Sequence, residues 1–502
     1  MAEYLSQLTS VSPCLHTSTP SDEEDYDKHI RDLITYLQQP NRPSELSSVS
    51  GYLLDNLDPY LHSLSYLSVL HFKIQSVQGD NKTRLSKQVC PGGELWIKAV
   101  RLLRGFDPFQ IRYAGHEWRQ LIELVIQAAQ AVSKPLLAVS VVRDAMLRLD
   151  PSSEVLTSVH TAFMRLTLIA RSYSLALPIL ERHICHFPTL TGQAYQKYHQ
   201  PTLCGEHESS MTFLTDGSGF SKKLTYRDHL QFFLYGAMIY MALRKWDRAL
   251  HYLSIVISCP VTNTVSKIMV EGYKKWVLVS LLGRGMLVSH PHLASSHVIR
   301  AYKALAKPYT LLADAFEKCD FQRIEVEVNA ARSIWHADNN IGLVQQVMCA
   351  FSKRMTLRLG MTFSALTLAD VAQQASHRPT SLNEVESLVA SLVMSGALNA
   401  VMLHSHNDDD KTTMVRFCST VELRCFQEHD TREQIVQDSQ LLDVVGRSIL
   451  YANRGLELSN ENFLFLQKSM RWSDNPEKGS ARALDELASG IDIEEDIMGD
   501  TH

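Results

Sequence analysis

Two segments, 404–406 and 290–292, have the pattern His-x-His, which is the nearest approach to a metal site in this chain. A zinc hydrolase built on such a pair needs a further carboxylate ligand about eleven positions along, so that three protein ligands leave the fourth position open to water. The corresponding positions here hold Phe417 and Lys303. Neither pair is therefore predicted to bind a metal.

Other patterns of catalysis are also absent from the sequence. Gly283 and Gly285 lack the third glycine of a dinucleotide fingerprint, and the chain has neither a phosphate-binding loop with its lysine nor a Gly-x-Ser-x-Gly elbow. The nine cysteines form no Cys-x-x-Cys pair, which argues against a zinc module and against a secreted disulfide framework. We predict no catalytic, cofactor-binding or metal-binding residue and expect no enzyme, although an enzyme outside these patterns stays an open alternative.

The composition is that of a globular protein without a strong charge. The chain has 502 residues, of which 45% are hydrophobic and 21% charged, and this length allows about two to four domains or one repeat array. A formal net charge of -5 provides no basic field for nucleic acid. The most apolar stretch, 276–288, is interrupted by Gly-Arg-Gly, and the N-terminus has no basic-then-apolar leader. We expect an intracellular protein with no membrane segment.

Two helices with their own capping signals lie between residues 366 and 417. Thr367 with Asp370, and Ser381 with Glu384, have the spacing of a capping box, in which a hydroxyl and a carboxylate satisfy the first amides of a helix. Gly396 supplies a stop for the second helix. Two apolar runs, 400–403 and 414–417, follow around a polar turn at 407–410. This order of helix, helix, strand, turn and strand predicts a winged helix.

A winged helix either reads DNA or docks other proteins, and the charges favour docking. Residues 382–395 include no Lys or Arg, and the turn carries three aspartates. We expect Val401 and Leu403 to face Val415 and Phe417 in alternation and the hairpin to offer a sheet edge for a neighbouring subunit. The alternative is that Val415 and Phe417 only close the core of their own domain.

Long amphipathic helices dominate residues 111–338. The spacing of a tetratricopeptide-like helix pair is shown by Phe233, Ala237, Tyr240, Ala249, Leu253 and Val256. This spacing predicts an α-solenoid of irregular repeats, with a non-repetitive helical domain as the alternative. Residues 190–226, rich in Gly and lacking a periodic apolar face, are predicted to form an inserted surface loop, with helices resuming at His229. We interpret Lys274 and Lys275 as a solvated face.

Further segments flank this array. Residues 1–110 are predicted as short helices broken by prolines and partly flexible, with an acidic lead-in at 18–27. Residues 339–420 carry the winged helix, 421–470 the C-terminal helices, and 471–502 an acidic disordered tail. In the C-terminal helices Ile435, Leu442 and Ile449 are seven residues apart, with Val445 beside them. This stripe either joins a helical bundle with partner chains or packs back on its own domain.

A helical-repeat array that leads into a winged helix and a terminal helix resembles the PCI family. Within that family, the order of several blocks is similar to the subunit 3 family of the COP9 signalosome. These blocks are Tyr235–Tyr240, Trp246–Leu250, Glu271–Lys275, Asp338–Val344, Leu366–Ala372 and Phe465–Met470. The insertion at 190–226 and the N-terminal region depart from the pattern. The resemblance thus implies an all-α solenoid with a PCI winged-helix module and a C-terminal helix.

The resemblance also implies a function. It implies a non-catalytic scaffold in a nuclear and cytoplasmic complex that removes a ubiquitin-like modifier from cullin-RING ubiquitin ligases, with the zinc isopeptidase in a different subunit. The expected partners are the other signalosome subunits, reached through the winged-helix edge and the C-terminal helix bundle, with no nucleic acid and no membrane. Two further PCI roles stay open, a subunit of the proteasome regulatory lid and a nucleic-acid adaptor.

Overall fold

The structure, a computed structural model, describes residues 2–11, 20–78, 86–182, 184, 186–188, 210–260, 265–375, 382–404, 413–418 and 424–457. The chain divides into two compact units, Met1–Thr420 and Val421–His502, and each is described by itself. Within the described ranges, no helix is long and apolar enough to cross a membrane.

The first ten helices precede the predicted insertion. They are α1 (Ala2–Leu8), α2 (Pro20–Leu37), α3 (Arg42–Asn56), α4 (Ser63–Gln78), α5 (Glu94–Gly105), α6 (Pro108–Ile111), α7 (Gly115–Ala131), α8 (Leu136–Leu149), α9 (Ser158–Ala170) and α10 (Leu177–Leu180). A 3-10 turn, Tyr173–Ala176, leads into α10.

The remaining elements complete the first unit and supply the second. They are α11 (Ser210–Phe213), α12 (Tyr226–Ala242), α13 (Trp246–Ser258), α14 (Lys267–Arg284), α15 (Ser296–Leu305), α16 (Lys307–Glu317), α17 (Phe321–Ala330), α18 (Arg332–Ala337), α19 (Ile341–Thr362), β1 (Ala365–Thr367), α20 (Leu368–Ala375), α21 (Leu382–Met394), β2 (Ala400–His404), β3 (Thr413–Phe417) and α22 (Arg424–Glu457).

Helices that follow one another in the chain pack together and build the solenoid around one apolar core. That core runs from Leu8 to Phe351, so it is continuous across residue 110. Ala237, Ala249 and Val256 of the predicted stripe are wholly buried. At the crossing of α12 and α13, a Cβ on Gly236 would lie 2.7 Å from the Tyr252 ring, so this close approach requires glycine. The predicted all-α class with helical repeats is confirmed.

Prolines in the N-terminal region mark where helices begin, rather than interruptions within them. Pro43 lies in the first turn of α3, where a missing amide hydrogen costs nothing. The acidic lead-in predicted at 18–27 includes Pro20, where α2, a helix of 18 residues, begins. The domain boundaries drawn from the sequence stay predictions.

The second half of the predicted insertion is packed and is not a surface loop. Phe213, Leu214 and Phe220 are buried. The Phe220 ring lies 5.7 Å from that of Trp118 on α7, centroid to centroid, in an edge-to-face contact. The surface-loop prediction failed because it relied on the absence of a periodic apolar face. Three large apolar side chains within eight residues can still pack into a core from an irregular backbone. Residues 189–209 of the insertion lie outside the described residues.

The long helix α12 begins three residues before His229, where the sequence predicted that helices resume. Thr225 caps α12, since its hydroxyl oxygen accepts the Asp228 backbone N–H at 3.4 Å and its own backbone N–H donates to Asp228 Oδ2 at 2.9 Å. A capping box of this kind satisfies the amides that begin a helix. The Thr-x-x-Asp signal was present in the sequence and fixes the start at Tyr226.

Candidate functional site

The winged-helix module has a small core of its own. Side chains from α19 to β3 form it, namely Leu359, Leu368, Val371, Val385, Val389, Leu392, Leu398, Ala400 and Val415. The predicted cap of α20 is confirmed, because the Asp370 N–H donates to Thr367 Oγ1 at 3.2 Å. Gly396 follows α21 with a φ of 68°, which confirms the predicted stop. Ser381 lies outside the described residues.

A strand that the sequence reasoning missed joins the hairpin. β1 pairs antiparallel with β3, and the order across the sheet is β1-β3-β2. Leu366, which immediately precedes the capping residue Thr367, lies opposite Val415 in this pairing. A three-residue strand has no periodicity to detect, so only its partner reveals it.

The prediction that Val401 and Leu403 face Val415 and Phe417 is wrong, because the register of the two strands differs by one residue from the expected one. Val401 lies opposite Arg416, and Leu403 lies opposite Met414. Directly opposed residues in an antiparallel pair share a face, so Val401 and Leu403 lie on the face away from Val415. Val415 is buried, which agrees with the alternative that it closes its own core. Phe417 is partly buried against the same core.

The face away from the core is open to solvent, and it carries three apolar side chains next to Arg416. Val401, Leu403 and Met414 are 45%, 47% and 43% exposed. Three neighbouring apolar side chains on one sheet face form a patch of the kind that marks protein contact sites. We call these three residues the outer patch.

β2 is an edge strand, and its free edge can be assigned from the ladder. Phe417 donates its N–H to Ser364 O on the β1 side, whereas Cys418 donates to Asn399 O on the β2 side, both at 2.8 Å. Because donors alternate along an antiparallel ladder, the N–H groups of Ala400, Met402 and His404 point away from β3. This edge is therefore free to pair with another strand.

The C-terminal helix carries the second predicted surface. α22 has 34 residues. On it Ile435, Leu442, Val445 and Ile449 are 67%, 71%, 51% and 54% exposed. Seven-residue spacing returns to nearly the same side of a helix, so Ile435, Leu442 and Ile449 form one apolar stripe. We call it the C-terminal stripe.

One histidine of each His-x-His pair has contacts in the structure, one at the end of a strand and one against an aromatic ring. His404 ends β2, with Nδ1 3.1 Å from Thr413 Oγ1, and residues 405 and 406 lie outside the described ranges. His290 stacks on Tyr273 with ring centroids 6.0 Å apart, and burial lowers the pKa of its imidazole. In the part of the chain that the structure describes, no group of three His, Cys, Asp or Glu side chains could hold a metal ion.

Lys274 and Lys275 do not form the expected solvated face. Lys274 Nζ donates to Asp338 Oδ1 at 2.6 Å, and Asp338 Oδ2 accepts from the Tyr309 hydroxyl at 2.8 Å. Both members of the Lys274–Asp338 ion pair are 16% exposed. The interpretation failed because the solvation of a lysine depends on which distant segment covers it.

The neighbouring lysine extends this network to the helix that leads into the winged helix. Lys275 is 7% exposed; its Nζ donates to Asn340 Oδ1 at 3.1 Å and also contacts Glu271. Asn340 in turn donates from Nδ2 to the Tyr309 hydroxyl at 2.8 Å. Since Asn340 immediately precedes α19, the network ties the solenoid to the start of that helix. The sequence blocks 271–275 and 338–344 were singled out above, but only as signs of resemblance.

The fold is that of a helical-repeat and winged-helix protein that exposes apolar side chains on its outer patch and on its C-terminal stripe. A family model for "COP9 signalosome complex subunit 3, N-terminal helical repeats" matches residues 27–299. The chain belongs to this family, the COP9 signalosome subunit 3 proteins.

Curated relatives carry the same description. The chain is 45% identical over 500 residues to "COP9 signalosome complex subunit 3" of Emericella nidulans, and the match covers 100% of each chain. It is 26% identical over 358 residues to the protein of that description in Drosophila melanogaster, covering 70% of this chain and 73% of the relative. The corresponding protein of Arabidopsis thaliana is 26% identical over 397 residues, covering 79% of each.

Proposed function

We propose that this chain is a non-catalytic scaffold subunit of a COP9 signalosome. The observation that carries the proposal is the match at 45% identity, over the full length of both chains, to a subunit 3 protein. The open sheet edge, the outer patch and the C-terminal stripe support it, because a scaffold needs surfaces that neighbouring chains can cover.

The proposed activity belongs to the whole complex. In it the subunit supports removal of a ubiquitin-like modifier from cullin-RING ubiquitin ligases, in the nucleus and the cytoplasm, while another subunit supplies the isopeptidase. The sequence supports this division, because Phe417 stands where a His-x-His zinc site beginning at residue 404 would need its carboxylate. Contact with cullin-RING ligases is then indirect.

Two contacts are proposed for assembly. The C-terminal stripe packs into a helical bundle with helices of other subunits, which buries side chains that are more than half exposed in this chain. The free edge of β2 pairs with a strand of a neighbouring subunit through its outward N–H groups.

The stripe is tested by a double substitution, Leu442→Asp with Ile449→Asp, in the tagged full chain expressed in its own cells. Two buried carboxylates without partners would oppose a helical bundle, so we expect the other signalosome subunits to be lost from the pull-down and deneddylation of cullins to fall with them. Gln437→Asp with Gln440→Asp is the matched control, because this pair adds the same two charges at exposed positions on the opposite side of α22. Copurification at the wild-type level would refute this contact.

The edge is tested by Met402→Pro, which removes an outward N–H and leaves the β2–β3 ladder intact. Met402→Ala is the control, since it shortens the side chain in the same way and keeps the N–H. We expect only the proline variant to lose a neighbouring subunit. Recovery of proteasome lid subunits with the wild-type chain, in place of signalosome subunits, would overturn the assignment itself.

A further inference from the structure

A small cavity lies where α7, α8, α9 and the packed half of the insertion meet. Its volume is about 20 Å³, which exceeds the roughly 10–15 Å³ that one water molecule requires. Much of the wall is apolar, with Met146, Leu149, Val159, Leu214 and Phe220 among the lining residues.

Three side chains in this wall have a buried polar atom without a partner. These atoms are Trp118 Nε1, Asp150 Oδ2 and His160 Nε2, and the three residues are 3%, 6% and 5% exposed. They come from α7, from the end of α8 and from α9. Buried polar groups in folded proteins nearly always have a hydrogen-bond partner, so three such atoms around one cavity require an explanation.

The hydrogen bonds of His160 determine which of its two ring nitrogens carries the proton. The Thr157 backbone N–H donates to His160 Nδ1 at 3.1 Å, and the Thr157 hydroxyl lies 2.8 Å from the same nitrogen. A backbone amide can only donate, so Nδ1 is the acceptor and the neutral ring carries its proton on Nε2. Burial lowers the pKa of His160 to about 4, which keeps the ring neutral.

The carboxyl group supplies the complementary acceptor. Asp150 Oδ1 already accepts the backbone N–H groups of Ser152 and Ser153, at 3.1 and 2.9 Å. These bonds hold the carboxyl in place, and they leave Oδ2 without a partner on a residue that lines the cavity. The residues of the wall therefore carry two N–H donors and one carboxylate oxygen that have no partner within the protein.

We propose that this cavity binds one structural water molecule, which accepts from Trp118 Nε1 and His160 Nε2 and donates to Asp150 Oδ2. Water is the ligand that fits all three atoms. A metal ion would be opposed by two N–H groups, an anion by the carboxylate, and any larger molecule by the volume. The water links α7, α8 and α9 at the point where Leu214 and Phe220 of the insertion pack.

A crystal structure of the full chain at high resolution is the direct test. We expect one ordered water at roughly 2.7–3.2 Å from each of the three atoms. A cavity without ordered density, or Asp150 Oδ2 bonded directly to His160 Nε2, would overturn the proposal.

A second test counts long-lived internal waters in solution by oxygen-17 relaxation dispersion. His160→Phe should remove one of them, because the ring loses its donor and Phe is apolar. Thr161→Val is the matched control, since it removes a buried unpaired hydroxyl one residue further along α9 that is not part of the cavity wall. An equal count in the wild type and His160→Phe contradicts the proposal.

Should His160→Phe not fold, Trp118→Phe answers the same question. It keeps an aromatic ring in the wall and removes one donor, so we expect the residence time of the water to fall about tenfold. A residence time equal to that of the wild type would exclude a water bound by Trp118.

Discussion

Tyr309→Phe removes a single hydroxyl from the network that ties the solenoid to α19. That hydroxyl donates to Asp338 Oδ2 and accepts from Asn340 Nδ2, both at 2.8 Å. Burial raises the pKa of Tyr309 far above its ordinary value, with Asp338 adding to the shift, so the group remains a donor throughout the accessible pH range. Phenylalanine fills the same space, and the substitution therefore reports the hydrogen bonds alone.

The expected cost follows from these two bonds. A hydrogen bond to a charged group contributes about 1.5–3 kcal/mol and a neutral one about 0.5–1.5 kcal/mol, which together give about 2–4.5 kcal/mol. Asn340 is 1% exposed, so water cannot replace the lost partner of its amide. Since about 1.36 kcal/mol corresponds to a factor of ten, the lower bound predicts a change of about 30-fold in a local opening equilibrium.

Native-state hydrogen exchange measures that equilibrium. In peptides covering Asp338–Val344, we expect amide exchange at least about 30-fold faster in Tyr309→Phe than in the wild type. Tyr302→Phe is the matched control, because Tyr302 is equally buried but its hydroxyl makes one bond, to Ile257 O at 3.2 Å. Equal exchange in the wild type and Tyr309→Phe, or the same acceleration of these peptides by Tyr302→Phe, would refute the role given to the network.

Three further predictions concern local features. The pKa of His160, lowered to about 4 by burial from an ordinary 6.5, implies that the unfolded chain binds a proton first. His160 should therefore lower the free energy of unfolding by about 2 kcal/mol as the pH falls from above 6.5 to 5, and denaturant titrations of His160→Gln should show a loss smaller by that amount. Gly219→Ala should lower the melting temperature, because φ is 81° and a Cβ would lie 2.8 Å from the His116 nitrogen; Gly446→Ala, in open space on α22, should not. Thr367→Ala should cost the winged helix about 1 kcal/mol through loss of its cap, whereas Thr367→Ser should restore it in a thermal melt.

Features that depend on neighbours in the sequence could be predicted from the sequence. The cap formed by Thr367 and Asp370, the stop at Gly396 and the spacing of the C-terminal stripe are all set within one or two helical turns, where the chain itself fixes the distances. The buried stripe on α12 and α13 was predictable for the same reason, because helical periodicity places those residues on one side.

The sequence did not show which distant segment packs over a given residue. Only the tertiary structure decided this. Shifting a strand by one residue moves every side chain to the other face, and the sequence around the polar turn did not fix the register of Val401 against Arg416. Lys275 is buried because Asn340, 65 residues away, lies over it. Phe220 is a core residue because its ring packs edge-to-face against Trp118 on α7. The sequence thus determined the elements and their apolar sides, whereas burial and strand register required contacts between segments far apart in the chain, which no local pattern encodes.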